Sequence, residues 1–267
     1  MEVGNVVEVE VKGAGRVKNT AVAGPEQKTE NRATGTEIGG TMQVQSLGHA
    51  TFMLNEGKDR LLFDPWLARN PYLVGKTLPE LNPSLILTTH LHGDHFEDAV
   101  PLAKKYDVPI LSTPEVARHC MGEGAKVIRV HLGGREFFPF GTVKAVQAFH
   151  SCPHAVGQTW RVEGGVPCAF VVEFHGKRFY FAGDTALMMD MQLWAPVDVA
   201  FLPIDGKMVM PPEDAVRAAE FLQAKVVIPM HWRDEDPNAF IKLLESKTKA
   251  KGVLLQALET WDVPATV

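Results

Sequence analysis

The chain has 267 residues, 45% of them hydrophobic and 22% charged, which is typical of a globular protein with a substantial core. The formal net charge of −5 gives no bulk attraction for nucleic acid, and no apolar run approaches the roughly 20 residues of a membrane-spanning helix. The three cysteines form no CxxC pair, and the first residues lack the pattern of a signal peptide. We therefore expect a cytoplasmic protein without a membrane span and without nucleic acid as a partner; association into a homo-oligomer stays open.

Residues 1–41 differ in character from the rest of the chain. They contain no aromatic residue and show little sustained periodicity, although Val6–Val11 alternates apolar and acidic residues and predicts one strand. Residues 26–41 have the composition of a linker. We interpret residues 1–41 as an N-terminal extension or arm, and residues 42–267 as the main domain.

From residue 42 onward the chain alternates between short apolar strands and amphipathic helices. The predicted strands cover residues 42–47, 51–54, 61–63, 84–88, 110–111, 126–130, 142–149, 169–174, 178–181, 197–202, 226–229 and 252–255. The predicted helices cover residues 97–106, 114–121, 186–194, 212–222 and 237–246. This order indicates a mixed α/β fold.

The densest group of polar side chains follows the apolar run Leu85-Ile86-Leu87. Here His90, His92, Asp94 and His95 place four metal-ligating groups within six residues. Side chains alternate sides along an extended segment, so His90 and His92 can point to one ion. Gly93 allows a bend, after which Asp94 and His95 can face a second site. Imidazole and carboxylate together suit zinc and neighbouring divalent metals.

Four other apolar strand runs also end on a histidine or an aspartate. These residues are Asp64, His150, Asp184 and His231. Loops at strand ends on one edge of an α/β structure are where sites commonly form. Five such strand ends in one chain therefore indicate a single site assembled from distant segments.

This constellation resembles the metallo-β-lactamase superfamily of binuclear metal hydrolases. The motifs that carry the resemblance are Leu47-Gly48-His49-Ala50-Thr51-Phe52, Phe63-Asp64-Pro65-Trp66-Leu67, His90-Leu91-His92-Gly93-Asp94-His95, Phe149-His150-Ser151, Gly183-Asp184-Thr185 and Pro229-Met230-His231. They are similar to a branch of small, largely uncharacterised metal-dependent hydrolases, which also resembles ascorbate-6-phosphate lactonase and N-acylphosphatidylethanolamine phospholipase D. The resemblance implies a four-layer αββα sandwich for residues 42–267, with the site at one edge.

The resemblance also implies two sets of ligands. His90, His92 and His150 would hold a first metal, and Asp94, His95 and His231 a second, with Asp184 bridging the two. Asp64 would orient the histidine loop through hydrogen bonds. Two divalent ions are expected; zinc is favoured, and manganese, iron and nickel are also compatible with histidine-rich sites.

The implied activity is hydrolysis of an ester, lactone or phosphodiester bond. Two metals about 3.5–4 Å apart would bring the pKa of a shared water to about 7, and the bridging hydroxide would attack the substrate. Asp94 and Asp184 are the expected catalytic carboxylates, and His154 is a candidate proton donor to the leaving group. The chain has no Gly-x-Ser-x-Gly motif for a serine nucleophile.

Several alternatives remain at this stage. His49 is either a structural histidine between strands or a residue near the site, and Cys152, although close to His150 in sequence, is interpreted as a spectator thiol and not as a ligand. A diiron oxygen or nitric-oxide reductase of the same fold would carry a glutamate in place of His92. A non-catalytic metal-binding or assembly module is the remaining alternative to an enzyme.

Overall fold

The computed structural model describes residues 6–11, 15–20, 40–152, 154–156, 159–161 and 164–266, with side chains described for 40–152 and 164–266. The chain divides into two compact units, Met1–Ile38 and Gly39–Val267. In the first unit, strands β1 (Val6–Val11) and β2 (Gly15–Thr20) pair antiparallel. The expected strand Val6–Val11 is thus confirmed, and β2 is an addition. Most of the predicted linker lies outside the described residues, and the boundary at residue 42 stays a prediction.

The second unit contains the remaining strands and the helices. In chain order its strands are β3 (Gln43–Ser46), β4 (Phe52–Glu56), β5 (Asp59–Phe63), β6 (Leu85–Leu87), β7 (Ile110–Ser112), β8 (Val127–Arg129), β9 (Arg135–Phe138), β10 (Gly141–Gln147), β11 (His154–Val156), β12 (Thr159–Arg161), β13 (Cys168–Phe174), β14 (Lys177–Phe181), β15 (Val199–Pro203), β16 (Val226–Met230), β17 (Lys251–Gly252) and β18 (Thr260–Asp262). Its α-helices are α1 (Gly93–Phe96), α2 (Ala99–Tyr106), α3 (Pro114–Gly122), α4 (Pro212–Phe221) and α5 (Pro237–Lys247). Two 3₁₀ helices cover Pro71–Leu73 and Met189–Trp194.

Two seven-stranded mixed sheets form the body of this unit. The first sheet has the strand order β18-β3-β4-β5-β6-β7-β8, and the second has the order β17-β16-β15-β14-β13-β10-β9. Pairing is parallel from β5 to β8 and from β14 to β17, and antiparallel elsewhere in both sheets. Each sheet therefore has a group of neighbouring strands whose carboxyl ends lie at one edge.

Alternation along the strands explains how the sheets pack. Leu61 and Phe63 of β5 face the large core between the sheets, whereas Leu62 faces a second core beneath the helices. Phe63 stacks on Phe181 of the second sheet at 4.7 Å between ring centroids. Because aromatic rings bury a large apolar area, these contacts hold the two sheets face to face.

Helices cover the outer faces of both sheets. Helices α2 and α3 contact β7 and β8, while α4 and α5 contact β15, β16 and β17. This arrangement confirms the α/β class and the expected αββα sandwich. Among the described residues, no helix is both long enough and apolar enough to cross a membrane.

Three predicted elements differ from the structure. The helix expected over residues 186–194 is only the 3₁₀ helix Met189–Trp194, and the backbone N–H of Ala186 instead donates to Phe149 O. The helix expected over 97–106 is interrupted before Ala99, and α1 forms within the histidine loop. The strand expected over residues 252–255 is only β17, which ends at Gly252. The structure has a further edge strand, β18, in the first sheet.

Candidate metal centre

The histidine loop follows β6 and brings its side chains to the shared edge of the two sheets. His92 is the N-cap residue of α1, with an extended backbone conformation and no side-chain capping hydrogen bond, so the extended segment ends at this residue. His90 Nε2 lies 3.0 Å from His92 Nδ1, as their expected same-side orientation requires. His95, one turn later in α1, is fully buried on the other side of His90, with 4.4 Å between the ring centroids.

A first group of ligand atoms comes from His90, His92, His150 and Asp184, all within 4.8 Å of one another. His150 Nε2 lies 3.3 Å from His92 Nδ1 and 3.5 Å from Asp184 Oδ2. Ligand atoms at 2.0–2.1 Å from a tetrahedral zinc ion would be about 3.4 Å apart. The spacing of this group therefore fits one ion of that size.

A second group consists of His49, Asp94, His95 and His231. His49 Nε2 lies 3.3 Å from Asp94 Oδ2, and His231 Nε2 lies 3.8 Å from the same oxygen. The rings of His49 and His231 are 4.1 Å apart. The predicted residues Asp94, His95 and His231 are thus brought together, and His49 joins them as a fourth donor.

Asp184 connects the two groups. Its Oδ2 lies 3.5 Å from His150 Nε2 and 3.5 Å from His231 Nε2, while its Oδ1 lies 3.2 Å from His95 Nε2. The side chain is only 3% exposed. One buried carboxylate therefore faces ligand atoms of both groups, which is the position that a bridging ligand requires.

Several donor atoms in this cluster need a partner. Within the described residues, Asp184 Oδ1 and the Nε2 atoms of His49 and His95 are buried without a well-formed hydrogen bond. A buried polar atom left in this way costs free energy, so such atoms normally bind a water, an ion or a ligand. Imidazole and carboxylate atoms converging on two points fit divalent metal ions.

The hydrogen bonds expected of Asp64 are present in the structure. Its Oδ1 accepts from the backbone N–H of Thr89 at 2.7 Å, and its Oδ2 accepts from the Thr89 hydroxyl at 2.6 Å. His95 Nδ1 lies 2.8 Å from Asp64 Oδ2. This contact favours a proton on Nδ1, and with a metal bound the lone pair of His95 Nε2 would face the candidate metal position.

A second carboxylate, Asp205, has a similar place beside His231; it lies in a stretch that also resembles the hydrolase branch, but no role was predicted for it. Asp205 Oδ2 lies 3.2 Å from His231 Nδ1 and 3.2 Å from Arg233 Nε. Arg233 also reaches Asp94 Oδ2 at 3.1 Å. Asp205 closely follows β15, so the strand-end signal that identified Asp64 would have found it as well.

Unusual backbone conformations place these side chains. His49, Asp64 and His231 have φ values of +57°, +42° and +49°, which non-glycine residues rarely adopt. At Gly183, with φ of +57°, an added Cβ would lie 2.8 Å from the side chain of Thr89. A glycine is needed there because the loop that carries Asp184 passes directly against the histidine loop.

The electrostatics favour neutral imidazoles around charged carboxylates. Burial lowers the pKa of His49, His90, His92 and His150, and lowers the pKa of His231 to about 4. Burial alone would also lower the pKa of His95, but the charge of Asp184 and the close contacts of its ring nitrogens with Asp184 and Asp64 raise it well above its ordinary value. Neutral imidazoles have a lone pair free for a metal, and the raised pKa of His95 reflects the negative charge that the nearby carboxylates bring to this cluster.

Cys152 and His154 were also considered from the sequence. Cys152 is buried, its Sγ accepts from the backbone N–H of Leu91 at 3.3 Å, and burial raises the pKa of its thiol, so it has the surroundings of a structural thiol. His154 begins β11, which pairs with β12. Its side chain lies outside the described residues, so the expected proton-donor role stays a prediction.

The fold and the cluster define a class before any comparison: a metal-binding αββα sandwich with its site at the shared edge of two sheets. A family model described as a beta-lactamase superfamily domain matches residues 43–231. The chain therefore belongs to the metallo-β-lactamase superfamily and, within it, to the UPF0173 metal-dependent hydrolases represented by the relatives below.

The relatives match over nearly their whole length. A UPF0173 metal-dependent hydrolase of Thermus thermophilus is 41% identical over 229 residues, covering 83% of this chain and 98% of that protein. One from Symbiobacterium thermophilum is 40% identical over 231 residues, covering 82% and 99%. The solved structure of Igni18, a metallo hydrolase from Ignicoccus hospitalis, superposes with a TM-score of 0.74 at 28% identity, covering 83% and 97%. The chain is accordingly a metal-dependent hydrolase, and these names specify no substrate.

Proposed function

We propose that this protein hydrolyses an ester, lactone or phosphodiester bond of a small substrate with two divalent metal ions, preferentially zinc. His90, His92 and His150 would hold the first ion and Asp94, His95 and His231 the second, with Asp184 between them. When bound, the ions would supply an activated water and polarise the bond under attack. The observation that carries the proposal is the position of Asp184 Oδ2, 3.5 Å from a histidine of each group.

The chain's own residues prepare this site in three ways. Burial keeps most of the histidines neutral and able to bind. Asp64 fixes the ring of His95 through a 2.8 Å hydrogen bond at Nδ1, and Asp205 places its charge 3.2 Å from His231 Nδ1. These carboxylates follow strands of the two different sheets, Asp64 after β5 and Asp205 after β15, so both lie close to the sheet edge where the ligands meet.

Asp94 is the proposed carrier of the proton from the attacking water. Burial raises the pKa of Asp94, but the close contact with His49 and the charge of His95 outweigh burial and hold this pKa below its ordinary value, so the carboxylate is ionised at neutral pH. Its side chain is 22% exposed, more than that of Asp184, and its Oδ2 can accept a proton. His154 is the proposed donor to the leaving group, an assignment that rests on the sequence alone.

The test combines metal analysis with hydrolysis of a varied panel. Metal-loaded protein is offered 4-nitrophenyl acetate, a γ-lactone and bis(4-nitrophenyl) phosphate, beside the variants Asp184→Asn and His175→Ala. His175 lies outside the site and pairs with Asp59 at 2.9 Å, so its variant is a matched histidine control. We expect turnover of at least one substrate, lost in Asp184→Asn and kept in His175→Ala. Full metal content without turnover on any of the panel would favour the non-catalytic module instead.

A further inference from the structure

A cavity of about 490 Å³ borders the candidate metal centre on the side of His150. Its lining includes Phe149, His150, Lys207, Met208 and Val209. Small-molecule sites generally have volumes of this order and combine apolar walls with a few placed polar groups. Because a ligand of the first metal group forms part of the wall, a molecule in this cavity would lie directly beside the bond-breaking site.

The apolar walls of this cavity are exposed but firmly held. Phe149 is 67% exposed and Met208 is 51% exposed, large fractions for such side chains. The N–H of Phe149 donates to Thr185 Oγ1 at 3.0 Å, next to Asp184 in the chain. The N–H of Met208 donates to Asp205 Oδ1 at 2.9 Å. Both walls are thus fixed to the loops that position the metal ligands, and they offer apolar surface for which the described residues provide no cover.

One positive charge stands at the same cavity. The side chain of Lys207 is exposed. Its backbone N–H donates to Asp205 Oδ1 at 2.8 Å, which fixes the backbone at this residue. Across the described part of the chain, its ammonium group has no ion pair or hydrogen bond. Arg233, by contrast, is paired with both Asp94 and Asp205. In a chain of net charge −5, an uncompensated lysine beside an apolar cavity favours an anionic ligand.

We propose that this cavity binds the apolar, anion-ended portion of the substrate. The substrate class is an ester or lactone whose apolar chain lies on Phe149 and Met208 and whose distal carboxylate or phosphate pairs with Lys207. This assignment rests on the proposed hydrolase function and specifies the substrate for it. A neutral substrate of the same length fills the cavity without the ion pair, so the anionic end is the distinguishing prediction.

The role of the Lys207 charge is tested with three esters that share the same four-methylene acyl chain and differ in its end group. These are 4-nitrophenyl hexanoate, mono-4-nitrophenyl adipate, which ends in a carboxylate, and 4-nitrophenyl 5-phosphooxypentanoate, which ends in a phosphate. We expect kcat/KM for one or both anionic esters to exceed that for the hexanoate by about five-fold, the upper range for a partly exposed ion pair. Lys207→Met should bring the ratio of kcat/KM between the anionic esters and the hexanoate to about one, whereas Lys207→Arg should keep this ratio close to that of the wild type. The matched control is Lys58→Met, in the exposed turn between β4 and β5, which should leave the ratio unchanged.

The apolar wall is tested separately by chain length. The ratio of kcat/KM for hexanoate to that for acetate should fall several-fold in Phe149→Ala. Phe137→Ala is the control, since Phe137 is 70% exposed in β9, away from the cavity. Met208→Ser should also lower the ratio, whereas Met121→Ser, at 52% exposure in α3, should not.

Failure of this inference is distinguishable from failure of the proposed function. Turnover of the acetate with equal kcat/KM for neutral and anionic esters would overturn the inference and leave the hydrolase proposal intact. If no ester is hydrolysed, calorimetry on the metal-free protein with adipate and with hexanamide decides, because no carboxylate can then coordinate a metal. Tighter binding of adipate that is lost in Lys207→Met supports the inference, and equal binding of both compounds overturns it.

Discussion

The substitution Asp64→Asn changes one carboxylate oxygen into an amide and so tests how the second metal group is oriented. Asp64 is completely buried and accepts hydrogen bonds from Thr89 and His95. The asparagine oxygen can keep the 2.7 Å bond from the backbone N–H of Thr89. The new amide N–H₂ instead faces the Thr89 hydroxyl and His95 Nδ1, where Asp64 accepted both bonds.

Two effects of different size follow from this change. Hydrogen bonds to a charged acceptor are worth about 1.5–3 kcal/mol each, so loss of the two on Oδ2 should lower the free energy of unfolding by about 3 kcal/mol or more. His95 can regain a bond by moving its proton to Nε2, but that tautomer has no lone pair for a metal. We therefore expect metal affinity to fall by about 10–100-fold, as for other residues that orient metal ligands.

The assay is competition for zinc with a chromophoric chelator, together with thermal unfolding of the metal-free protein. Asp59→Asn is the matched control, because Asp59 Oδ2 also pairs with a histidine, His175, at 2.9 Å but outside the site. It should leave zinc affinity unchanged. Zinc affinity of Asp64→Asn equal to that of the wild type would refute the argument that Asp64 sets the tautomer of His95.

The other predictions concern pH, the core and the loop contact. The metal-free protein should lose stability from pH 6.5 toward pH 4, because His231, with a folded-state pKa of about 4, takes up its proton only in the unfolded chain over that range. For this group alone the free energy of unfolding should fall by at most about 3 kcal/mol. A melting temperature that rises on acidification would contradict this prediction. Phe181→Ala should lower the free energy of unfolding by about 3–5 kcal/mol in denaturant titration, since Phe181 is fully buried between the sheets. A change below about 1 kcal/mol would show that the packing of the sheets does not depend on Phe181. Gly183→Ala should reduce metal content in elemental analysis, because the new methyl group would meet Thr89 at 2.8 Å, and wild-type content would oppose that close approach.

The strands that carry the ligands could be predicted from the sequence because their signals are local. Val226–Met230 is buried along its whole length and reads as a continuous apolar run, as expected for an inner parallel strand. The ligand that follows such a strand is therefore recognisable without any tertiary information. The two ligand groups themselves came from the family resemblance, since periodicity does not tell which strand ends meet.

Elements that depend on distant partners were missed. β18 is a three-residue strand whose Trp261 pairs with Val44, more than two hundred residues earlier in the chain, and three residues are too few for an alternating pattern to be recognised. His49 was left open for a similar reason. Its place beside Asp94 depends on a left-handed backbone conformation and on packing against His231, neither of which its neighbours in sequence indicate.

Elemental analysis of purified wild-type protein and Asp184→Asn, both saturated with zinc and then freed of excess, tests the central claim most directly. Two ions sharing one buried aspartate predict close to two equivalents of metal per chain in the wild type and a clear loss in the variant. An unchanged metal content in Asp184→Asn, or a wild-type protein that retains no metal at all, would contradict the shared site from which the proposed hydrolysis follows.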